Sequence, residues 1–498
     1  MQKLLTLGLV SLSTFFINAQ AVIEDRIEVE TKETSDETIS SFGTAGFVFS
    51  NEKVERKERT LNFDIYSTDL EVTESFQKTI DRKYSYERQF TDDKAIYQIH
   101  FNKRGEYEFF ILDVEEQELD QFSGMLPDKM SIQEMKVMNG VCYLRGISKR
   151  EDYIIKLDLD SHKMKSIPIR IKNVKSKKIR VNNMQMLEDA NEILLSLDAT
   201  ISKHERDTYL FLIDNEGDTD LFKIYSTTKD KEKLIDYSFS KIGEDAYSIS
   251  GTYSKQSTST SEGLFFGIID NQKVKSINFY NFLDLDDFLS YLPERKQEKI
   301  EKKKSRKKKR GKELTLSYNI ATHDVIKKED GSFIFIGEAY YATYRTVTTV
   351  NANGTTSTRQ EFDGYRYTHA VIAKFDLNGD LVWDNCFEMN PGYKPYHVKL
   401  FLEVNTEDSN NFSMMFTTGT TIVSKSVDLD EGDITREVES EKIELKENEK
   451  VKYSRTELSY WFEDNFLLFG IQRIKDKDAP LGSRRRTIFF ISKVNYEI

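Results

Sequence analysis

The sequence predicts an all-β fold, a β-propeller of seven to eight blades with a charged helical or loop insertion between two blades. A short apolar strand followed by a turn that opens on Asp recurs along the whole chain. The turns are spaced at roughly the length of a propeller blade, about 40 to 50 residues. The chain is also rich in Phe and Tyr, with 33 and 25 of them, which suits half-buried strands. Two β domains side by side are the alternative, because they would contain similar strands.

The clearest unit is Ala370–Phe387. An apolar strand ends at Phe375, the residues Asp376-Leu377-Asn378-Gly379 form a turn, and a second strand passes through Trp383. Asp and Asn side chains accept local hydrogen bonds in such turns, and Gly supplies the positive φ. A strand–turn–strand unit that recurs along a chain indicates a repeat architecture.

Eight positions open a comparable turn, and the intervals between them are 45 to 67 residues, except for one of 106 residues that contains an insertion. The count predicts eight blades, with seven as the alternative. The last strand, Ile488–Val494, lies close to the end of the sequence, so we expect a strand from the N-terminal segment to complete the last blade. The eight positions are Asp64, Asp113, Asp158, Asp214, Asp270, Asp376, Asp428 and Asn495.

The unit also resembles a known repeat. The segment from Lys374 to Trp383 is similar to the Lys-hydrophobe-Asp-x-Asn-Gly-x-Leu-x-Trp pattern of secreted bacterial β-propeller repeat proteins, and Asp330–Gly337 resembles the first half of the same blade. The other units keep the hydrophobe-Asp step and lose Gly or Trp. The resemblance implies a propeller fold and no catalytic residues, because the shared positions belong to turns and core.

Residues 1–21 have the features of a secretory signal peptide. Lys3 gives a positive start, Leu4–Ile17 is apolar, and Ala19-Gln20-Ala21 is a small-residue cleavage site. The apolar stretch is too short for a stable membrane span, and no other segment is apolar enough. We therefore expect an exported protein without a transmembrane segment, located in the periplasm, at the cell surface or outside the cell. Residues 22–40 form an N-terminal segment and residues 41–498 the propeller.

The composition limits the classes of partner and the covalent cross-links that we expect. The net charge is −12 and 31% of the residues are charged, which does not favour non-specific binding of nucleic acid by the body of the protein. The two cysteines, Cys142 and Cys386, lie in apolar strand-like segments. They are expected to be buried thiols that act as small hydrophobes, with a disulfide in an oxidising compartment as the alternative.

A basic insertion, residues 282–313, interrupts the repeat. Its first part, Phe282–Leu292, places apolar residues at helical spacing and predicts a short amphipathic helix that ends at Pro293. Its second part, Arg295–Lys312, contains twelve Lys or Arg and two acids.

The basic part is a candidate electrostatic contact with an anionic membrane surface, an acidic polysaccharide, nucleic acid or an acidic protein. The alternative is a solvated insertion that lies against the protein's own acidic surface. No aromatic residue interrupts the basic run, which argues against a single-strand binding groove. The candidate residues are Lys302, Lys303, Lys304, Arg306, Lys307, Lys308, Lys309 and Arg310.

An extended hairpin, residues 340–368, is the second departure from the repeat. Two Thr- and Val-rich strands flank the turn Asn351-Ala352-Asn353-Gly354 and exceed what a blade needs. Tyr and Arg, which are enriched in binding hot spots, cluster near its base. The alternative is an edge hairpin whose rings pack on the neighbouring blade. The candidate surface is Tyr340, Tyr341, Tyr344, Arg345, Tyr365, Arg366 and Tyr367.

No local motif predicts catalysis, a cofactor or a metal. None of the six histidines forms a metal-ligand pair with another, although His323, His369 and His397 fall near one blade. The acidic turns Asp214–Asp220 and Asp428–Asp433 lack the spacing of an EF-hand loop. The chain also lacks the nucleophile elbow, the phosphate-binding loop and the dinucleotide fingerprint.

Two functions follow as hypotheses. The first is a non-enzymatic propeller that acts as a protein-binding or scaffold module in the bacterial envelope. The second is a glycan-active hydrolase or lyase, with carboxylates or a His–Tyr–Arg set from several blades at a channel mouth. A purely structural role in the envelope is a third hypothesis.

Overall fold

The computed structural model describes residues 21–31, 37–187, 190–229, 231–350, 353–405, 411–443, 449–476 and 485–496. Within them the chain forms eight antiparallel sheets. The first strands of most neighbouring sheets approach one another, and the first strand of the last sheet approaches that of the first sheet. Gln89 donates to Ser40 between the first two sheets, and Glu338 of the sixth sheet accepts the N–H of Leu402 next to the seventh. The sheets are therefore the blades of a closed eight-bladed propeller, and the predicted fold class is confirmed with eight blades.

The first strand of the chain, β1 (Ala21–Glu30), belongs to the last blade. In all other blades the strands follow chain order from the inner to the outer edge. Blade 1 consists of β2 (Thr38–Ser41), β3 (Phe47–Val54), β4 (Glu58–Tyr66) and β5 (Val72–Asp81), and blade 2 of β6 (Tyr86–Thr91), β7 (Ala95–Phe101), β8 (Glu106–Asp113) and β9 (Glu118–Met125). Blade 3 consists of β10 (Ser131–Met138), β11 (Val141–Ser148), β12 (Glu151–Asp158) and β13 (Met164–Pro168), and blade 4 of β14 (Ile179–Leu187), β15 (Glu192–Thr200), β16 (Arg206–Ile213) and β17 (Thr219–Thr227).

Blades 5 to 8 repeat this order, except that two short strands share the inner position of blade 6. Blade 5 consists of β18 (Lys233–Lys241), β19 (Ala246–Ser254), β20 (Gly263–Asp270) and β21 (Lys273–Asn281), and blade 6 of β22 (Asn319–Thr322), β23 (Ile326–Lys327), β24 (Phe333–Val350), β25 (Thr356–Phe375) and β26 (Leu381–Glu388). Blade 7 consists of β27 (Glu403–Asn405), β28 (Asn411–Thr418), β29 (Thr421–Asp428) and β30 (Ile434–Lys442), and blade 8 of β31 (Glu449–Phe462), β32 (Asn465–Asp476), β33 (Arg485–Tyr496) and β1.

The N-terminal strand closes the ring, as the sequence indicated. β1 pairs antiparallel with β33, with Ala21 opposite Tyr496 and Glu30 opposite Ile488. On the other side of blade 8, Trp461 donates its indole N–H to the carbonyl of Gly46 in blade 1 at 3.0 Å. The last blade therefore has its full set of four strands and packs on the first blade. Residues 1–20 of the expected signal peptide lie outside the described residues, whereas Ala21, its expected last residue, is the buried first residue of β1.

The repeated turn has the local structure that its residues favour. In blade 6, Oδ1 of Asp376 accepts the N–H groups of Asn378 and Asp380 at 2.8 and 2.9 Å. Gly379 has φ +85°, and a Cβ there would lie 2.7 Å from a ring atom of Phe266 in blade 5. Trp383 is buried and donates its indole N–H to the carbonyl of Leu429 in blade 7 at 3.2 Å. The unit that matches the repeat pattern best thus connects blade 6 with blades 5 and 7.

Six of the eight predicted positions lie at or directly after the end of the third strand of a blade, Asn495 lies one residue before the end of β33, and Asp64 lies further inside its strand. Asp64 lies inside β4, where its carboxylate accepts the hydroxyl of Ser75 on β5 at 2.6 Å. The turn of blade 1 begins at Ser67, whose hydroxyl accepts the N–H groups of Asp69 and Glu71. Ser replaces Asp as the local acceptor, so the hydrophobe-Asp step points three residues too early.

The segment before Pro293 is not the predicted helix. Phe282–Asp284 is one turn of 3₁₀ helix, followed by turns and bends, and the only α-helix of the described residues, α1 (Glu294–Lys308), begins after the proline. Proline suits a helix start, because a first-turn N–H has no partner within the helix. Phe282 and Phe288 instead stack at 4.3 Å between blades 5 and 6. The apolar residues of this segment recur at helical spacing because they are buried between the two blades, and not because they form one face of a helix.

Both long departures from the repeat lie at one end of the channel. The strands of a blade alternate in direction, so that connections between blades and turns between second and third strands share one end. We call this end the insertion face. It carries α1, the tip of the β24–β25 hairpin and the connection 389–402. The Asp-opened turns lie at the opposite end, which we call the turn face.

Candidate functional site

The β24–β25 hairpin extends beyond the blade in continuous antiparallel register, from Phe333 opposite Phe375 to Val350 opposite Thr356. Irregularities after Ala339 and Ala342 change which side chains face the blade. The extended hairpin that the sequence predicted is therefore present, although residues 351–352 of its turn lie outside the described residues.

The structure divides the predicted Tyr/Arg cluster into two groups. Buried Tyr367 and half-buried Tyr340 and Tyr365 form a packed row, in which the ring centroid of Tyr340 lies 5.2 Å from that of Tyr365 and 5.5 Å from that of Tyr367. The Tyr367 hydroxyl donates to the carbonyl of Lys399 at 2.5 Å. These three rings hold the hairpin on the next connection, so the packing interpretation applies to them.

The other members of the cluster face solvent. Tyr344 is 61% exposed and Tyr341 is 44% exposed. Arg345 and Arg366 are also exposed, and Arg345 forms an ion pair with Glu361 at 3.3 Å. Exposed aromatic and Arg side chains are typical anchors of protein interfaces.

The connection 389–402 extends this exposed surface. The carbonyl of Pro395 accepts the N–H of Tyr365 at 2.8 Å, and Lys394 pairs with Asp363 at 2.8 Å. These contacts place Tyr396, which is 60% exposed, with its ring centroid 5.8 Å from Phe362. Exposed apolar side chains follow it in the chain. We call Tyr344, Phe362, Tyr396, Val398 and Leu400 the aromatic platform.

A fully buried carboxylate fixes the end of this connection. Glu338 on β24 accepts the N–H groups of Phe401 and Leu402 at 2.9 Å each. His323 contacts the same carboxylate through Nε2 at 2.9 Å. A carboxylate with several N–H donors is a strong, directional anchor. The aromatic platform therefore rests on a rigid support.

α1 presents a separate basic surface. Lys304 contacts the carbonyl of Leu283 and pairs with Asp284 at 3.4 Å, and Lys307 donates to the carbonyl of Glu313 at 3.4 Å. Lys302 pairs with Glu298 within the helix at 2.8 Å. The remaining basic side chains are exposed and have no ion pair within the described residues; they are Arg295, Lys296, Lys299, Lys303, Arg306, Lys308, Lys309, Arg310 and Lys312.

The channel contains carboxylates from three blades. Burial raises the pKa of Glu134 on β10, and the nearby Asp324 raises it further against the opposing effects of Lys136 and Arg145. Asp236 on β18 faces water inside the channel, yet the surrounding protein raises its pKa, and Asp324 acts in the same direction. Asp236 accepts the hydroxyl of Thr322 at 2.8 Å. Asp324 therefore lies within electrostatic range of both other carboxylates.

A fourth acid, Glu403, lies between blades 7 and 8. It accepts the N–H of Tyr460 at 3.1 Å and lines a cavity of about 190 Å³ with Lys399 and Glu457. Burial raises its pKa to about 7, and Glu338 adds to the rise, while the Tyr460 N–H, His323 and Lys399 oppose it. Beside it, Lys399 at 2.9 Å helps hold the pKa of Glu457 low despite burial. The pKa of Glu403 is thus raised and that of the neighbouring Glu457 is lowered.

The remaining candidates of the sequence do not meet. His369 is buried against Tyr291 at 3.8 Å between centroids, and burial lowers its pKa to about 3, while His397 is exposed. Asp214 and Asp428 use their carboxylates to accept N–H groups of their own turns. No group of metal-ligating side chains occurs in the described ranges.

Both cysteines are buried free thiols, and burial raises the pKa of each. They do not form the disulfide that was the alternative. Across the part of the chain that the structure describes, no helix has the length and apolar character needed to cross a bilayer.

Sequence reasoning missed the channel carboxylates and Glu403. Each lies on or next to an inner strand that is short, polar or bulged, such as β27 with three residues or β10 with an irregularity after Ile132. In such strands the alternation of apolar and polar residues does not show which positions face the core, so the sequence does not show which side chains face the channel. The bulges that set the direction of these side chains are visible only in the structure, so the sequence offered no signal for them.

Comparison with known proteins adds a general likeness only. No family model and no curated protein matches the chain. Solved structures with a similar arrangement include a prolyl endopeptidase (TM-score 0.39, 12% identity, 89% of this chain and 55% of that chain), the Dos1 propeller (0.38, 11%, 76% and 75%) and TolB from Acinetobacter baumannii (0.28, 10%, 78% and 81%). The chain spans about half the length of the prolyl endopeptidase it resembles.

Proposed function

We propose that this protein is an exported, non-enzymatic β-propeller that binds a protein partner in the bacterial envelope through its insertion face. The observation that carries the proposal is the concentration of departures from the four-stranded blade at one end of the channel. The aromatic platform there is exposed yet held by buried contacts, including those of Glu338 and Tyr367. A preorganised surface of exposed rings loses little freedom on binding.

Site-specific photo-crosslinking in the native host tests this function. A photoreactive side chain at Tyr344 or Tyr396 is expected to cross-link one defined envelope protein. Leu377 is the matched control, because it is 60% exposed like Tyr396 but lies in the repeated turn on the turn face. Cross-links of equal yield from Leu377, or none from the insertion face, would contradict the proposal. Maturation of the chain after Ala21, detected by N-terminal sequencing of exported protein, tests its export.

The basic helix supports an additional contact with an anionic polymer or surface. α1 has 15 residues, so it is about 22 Å long. Of the acids beside it, Asp284 pairs with Lys304 and Glu313 pairs with Lys255 outside the helix, so neither neutralises the exposed basic side chains. Replacing Lys308, Lys309 and Arg310 by Gln is expected to reduce retention on an acidic polysaccharide and to weaken its salt dependence. The same replacement at Lys273, Lys275 and Lys223 is the control for net charge, and equal loss of retention would contradict a role for α1.

A second candidate function is the glycan-active enzyme, and the carboxylates of the channel favour it. Glycoside hydrolysis uses two carboxyl groups, one of which carries a raised pKa. Glu134 and Asp236 both have a raised pKa and share Asp324 as a neighbour. Release of reducing ends from envelope polysaccharides, abolished in both Glu134→Gln and Asp236→Asn, would support this function. Absence of release, or release that survives both replacements, would exclude these carboxylates as the catalytic pair.

A further inference from the structure

We propose that the channel holds a separate binding pocket for a small anionic molecule that carries hydroxyl groups, such as a sugar acid. The pocket has a volume of about 420 Å³, which is within the range of small-molecule sites. Blades 3 to 6 line it together. The lining residues come from the later parts of the inner strands, with Lys136 near the end of β10 and Lys241 at the end of β18. The pocket therefore lies toward the turn face and is distinct from the aromatic platform.

The charge of the pocket points to an anion. Three lysines line it, and Asp324 is the only acid that does. Lys327 donates to the backbone carbonyl of Lys241 at 3.2 Å, and the ammonium of Lys136 lies 5.5 Å from the centroid of Phe90. Neither of these two ammonium groups forms a direct ion pair in the described ranges, and the nearby Glu134 acts on Lys136 only from a distance. A carboxylate or phosphate ligand would compensate both charges at a site partly shielded from water.

The third lysine and the carboxylate are already engaged. Lys241 lies 3.6 Å from a carboxylate oxygen of Glu192. Asp324 accepts the side-chain N–H of Gln185 at 3.4 Å, and the other end of that amide accepts the N–H of Phe239 at 2.9 Å. Asp324 keeps its negative charge but forms no ion pair with Lys136 or Lys327 in the described residues. The lining residues thus present two lysines without an ion pair and one carboxylate, while Glu134, which does not line the pocket, acts on Lys136 from a distance.

The uncharged polar groups indicate hydroxyl recognition. Asn183 and Ser240 line the pocket, and Asn183 has no side-chain hydrogen bond in the described residues. An amide and a hydroxyl can both donate and accept, which matches the hydroxyl groups of a sugar. Phe239, the only ring in the lining, is buried in the blade core, so the pocket offers no exposed ring on which a nucleobase would stack. A small polar acid fits these groups better than a nucleotide.

Calorimetric titration of the whole protein tests the pocket, with glucuronate as the probe, glucose as its neutral counterpart and inorganic phosphate as an anion without carbon-bound hydroxyls. We expect saturable binding of one glucuronate, and no binding of glucose. Affinity is expected to fall about tenfold or more in Lys136→Gln and Lys327→Gln, because each removes a charged hydrogen-bond donor. Lys275→Gln on the outer strand β21 is the control for net charge and is expected to bind like the native protein.

Three results would overturn the proposal. They are no binding of glucuronate at 10 mM, equal binding of glucose, and glucuronate binding that both lysine replacements leave unchanged. Phosphate binding at the same lysines without glucuronate binding would overturn the hydroxyl-bearing class of ligand. Because Lys327 is exposed, Lys327→Gln is expected to keep the fold, verified by circular dichroism, even where Lys136→Gln does not. The binding of glucuronate is independent of the proposed protein partner, so a failure to detect cross-links at the insertion face would not affect the outcome of this titration.

Discussion

Replacing Glu403 by Gln is expected to change how the stability of the protein depends on pH. Burial raises the pKa of this carboxyl group from 4.5 to about 7. The folded protein therefore holds this proton more tightly than the unfolded chain. Its contribution to the free energy of unfolding is complete below pH 4.5 and is lost as the pH rises through 7. A difference of about 2.5 pKa units corresponds to about 3 kcal/mol.

Gln at position 403 stays neutral and can still accept the N–H of Tyr460. Relative to the native protein, Glu403→Gln is thus expected to be similarly stable at pH 4.5 and more stable by up to about 3 kcal/mol at pH 8. For a chain of this length, 1 kcal/mol shifts the melting temperature by only about 1 °C. Urea unfolding at a series of pH values is therefore the better assay.

The neighbouring Glu457 provides a control of opposite sign. Lys399 and Tyr393 keep its pKa low despite burial, so its contribution is present above its unfolded pKa and is lost as the pH falls through the folded value. Glu457→Gln should lose stability at neutral pH and approach the native protein in acid. Parallel pH profiles for the native protein and Glu403→Gln would refute the assigned environment of Glu403. A greater advantage of that variant in acid than at pH 8 would refute it as well.

Three further predictions concern the fold. Glu338→Leu should destabilise the protein by about 3 to 5 kcal/mol, because it leaves buried N–H groups of the connection 389–402 without an acceptor; urea unfolding and limited proteolysis of that connection would show it, and a protease-resistant variant of native stability would contradict it. Gly379→Ala should cost about 2 kcal/mol or more, because a Cβ would meet Phe266, whereas Gly354→Ala, with a similar φ and open space, should cost about 1 kcal/mol; equal losses in thermal melts would contradict the contact. Deleting residues 21–30 should expose the edge of β33 and produce oligomers in size-exclusion chromatography, and a monodisperse monomer would argue against β1 as an edge cover.

The sequence predicted the architecture because the propeller repeats its turns. Asp376, Gly379 and Trp383 are required by hydrogen bonding, positive φ and packing, and these requirements recur from blade to blade. Errors arose where another residue met the same need. Ser67 replaces Asp in the first blade, and packing between blades imitated a helix before Pro293.

The candidate sites were less predictable for two physical reasons. In the hairpin, the irregularities of β24 decide that Tyr340 is packed and Tyr344 exposed, and the sequence does not locate those irregularities. In the channel, the carboxylates come from inner strands far apart in the chain, such as Glu134 and Asp324, which meet only when the ring forms. Composition revealed the basic residues of α1, but only the structure shows which of them lack a partner.

The pairing of β1 with β33 also orders events during synthesis. β1 emerges first, and its only neighbour in the sheet emerges last, after residues 31–484 have been made. No other described strand offers β1 its native hydrogen bonds, so the ring stays open until β33 has been made. Contacts so distant in sequence form slowly. The chain therefore remains incompletely folded for longer than a protein whose first strand pairs with its second.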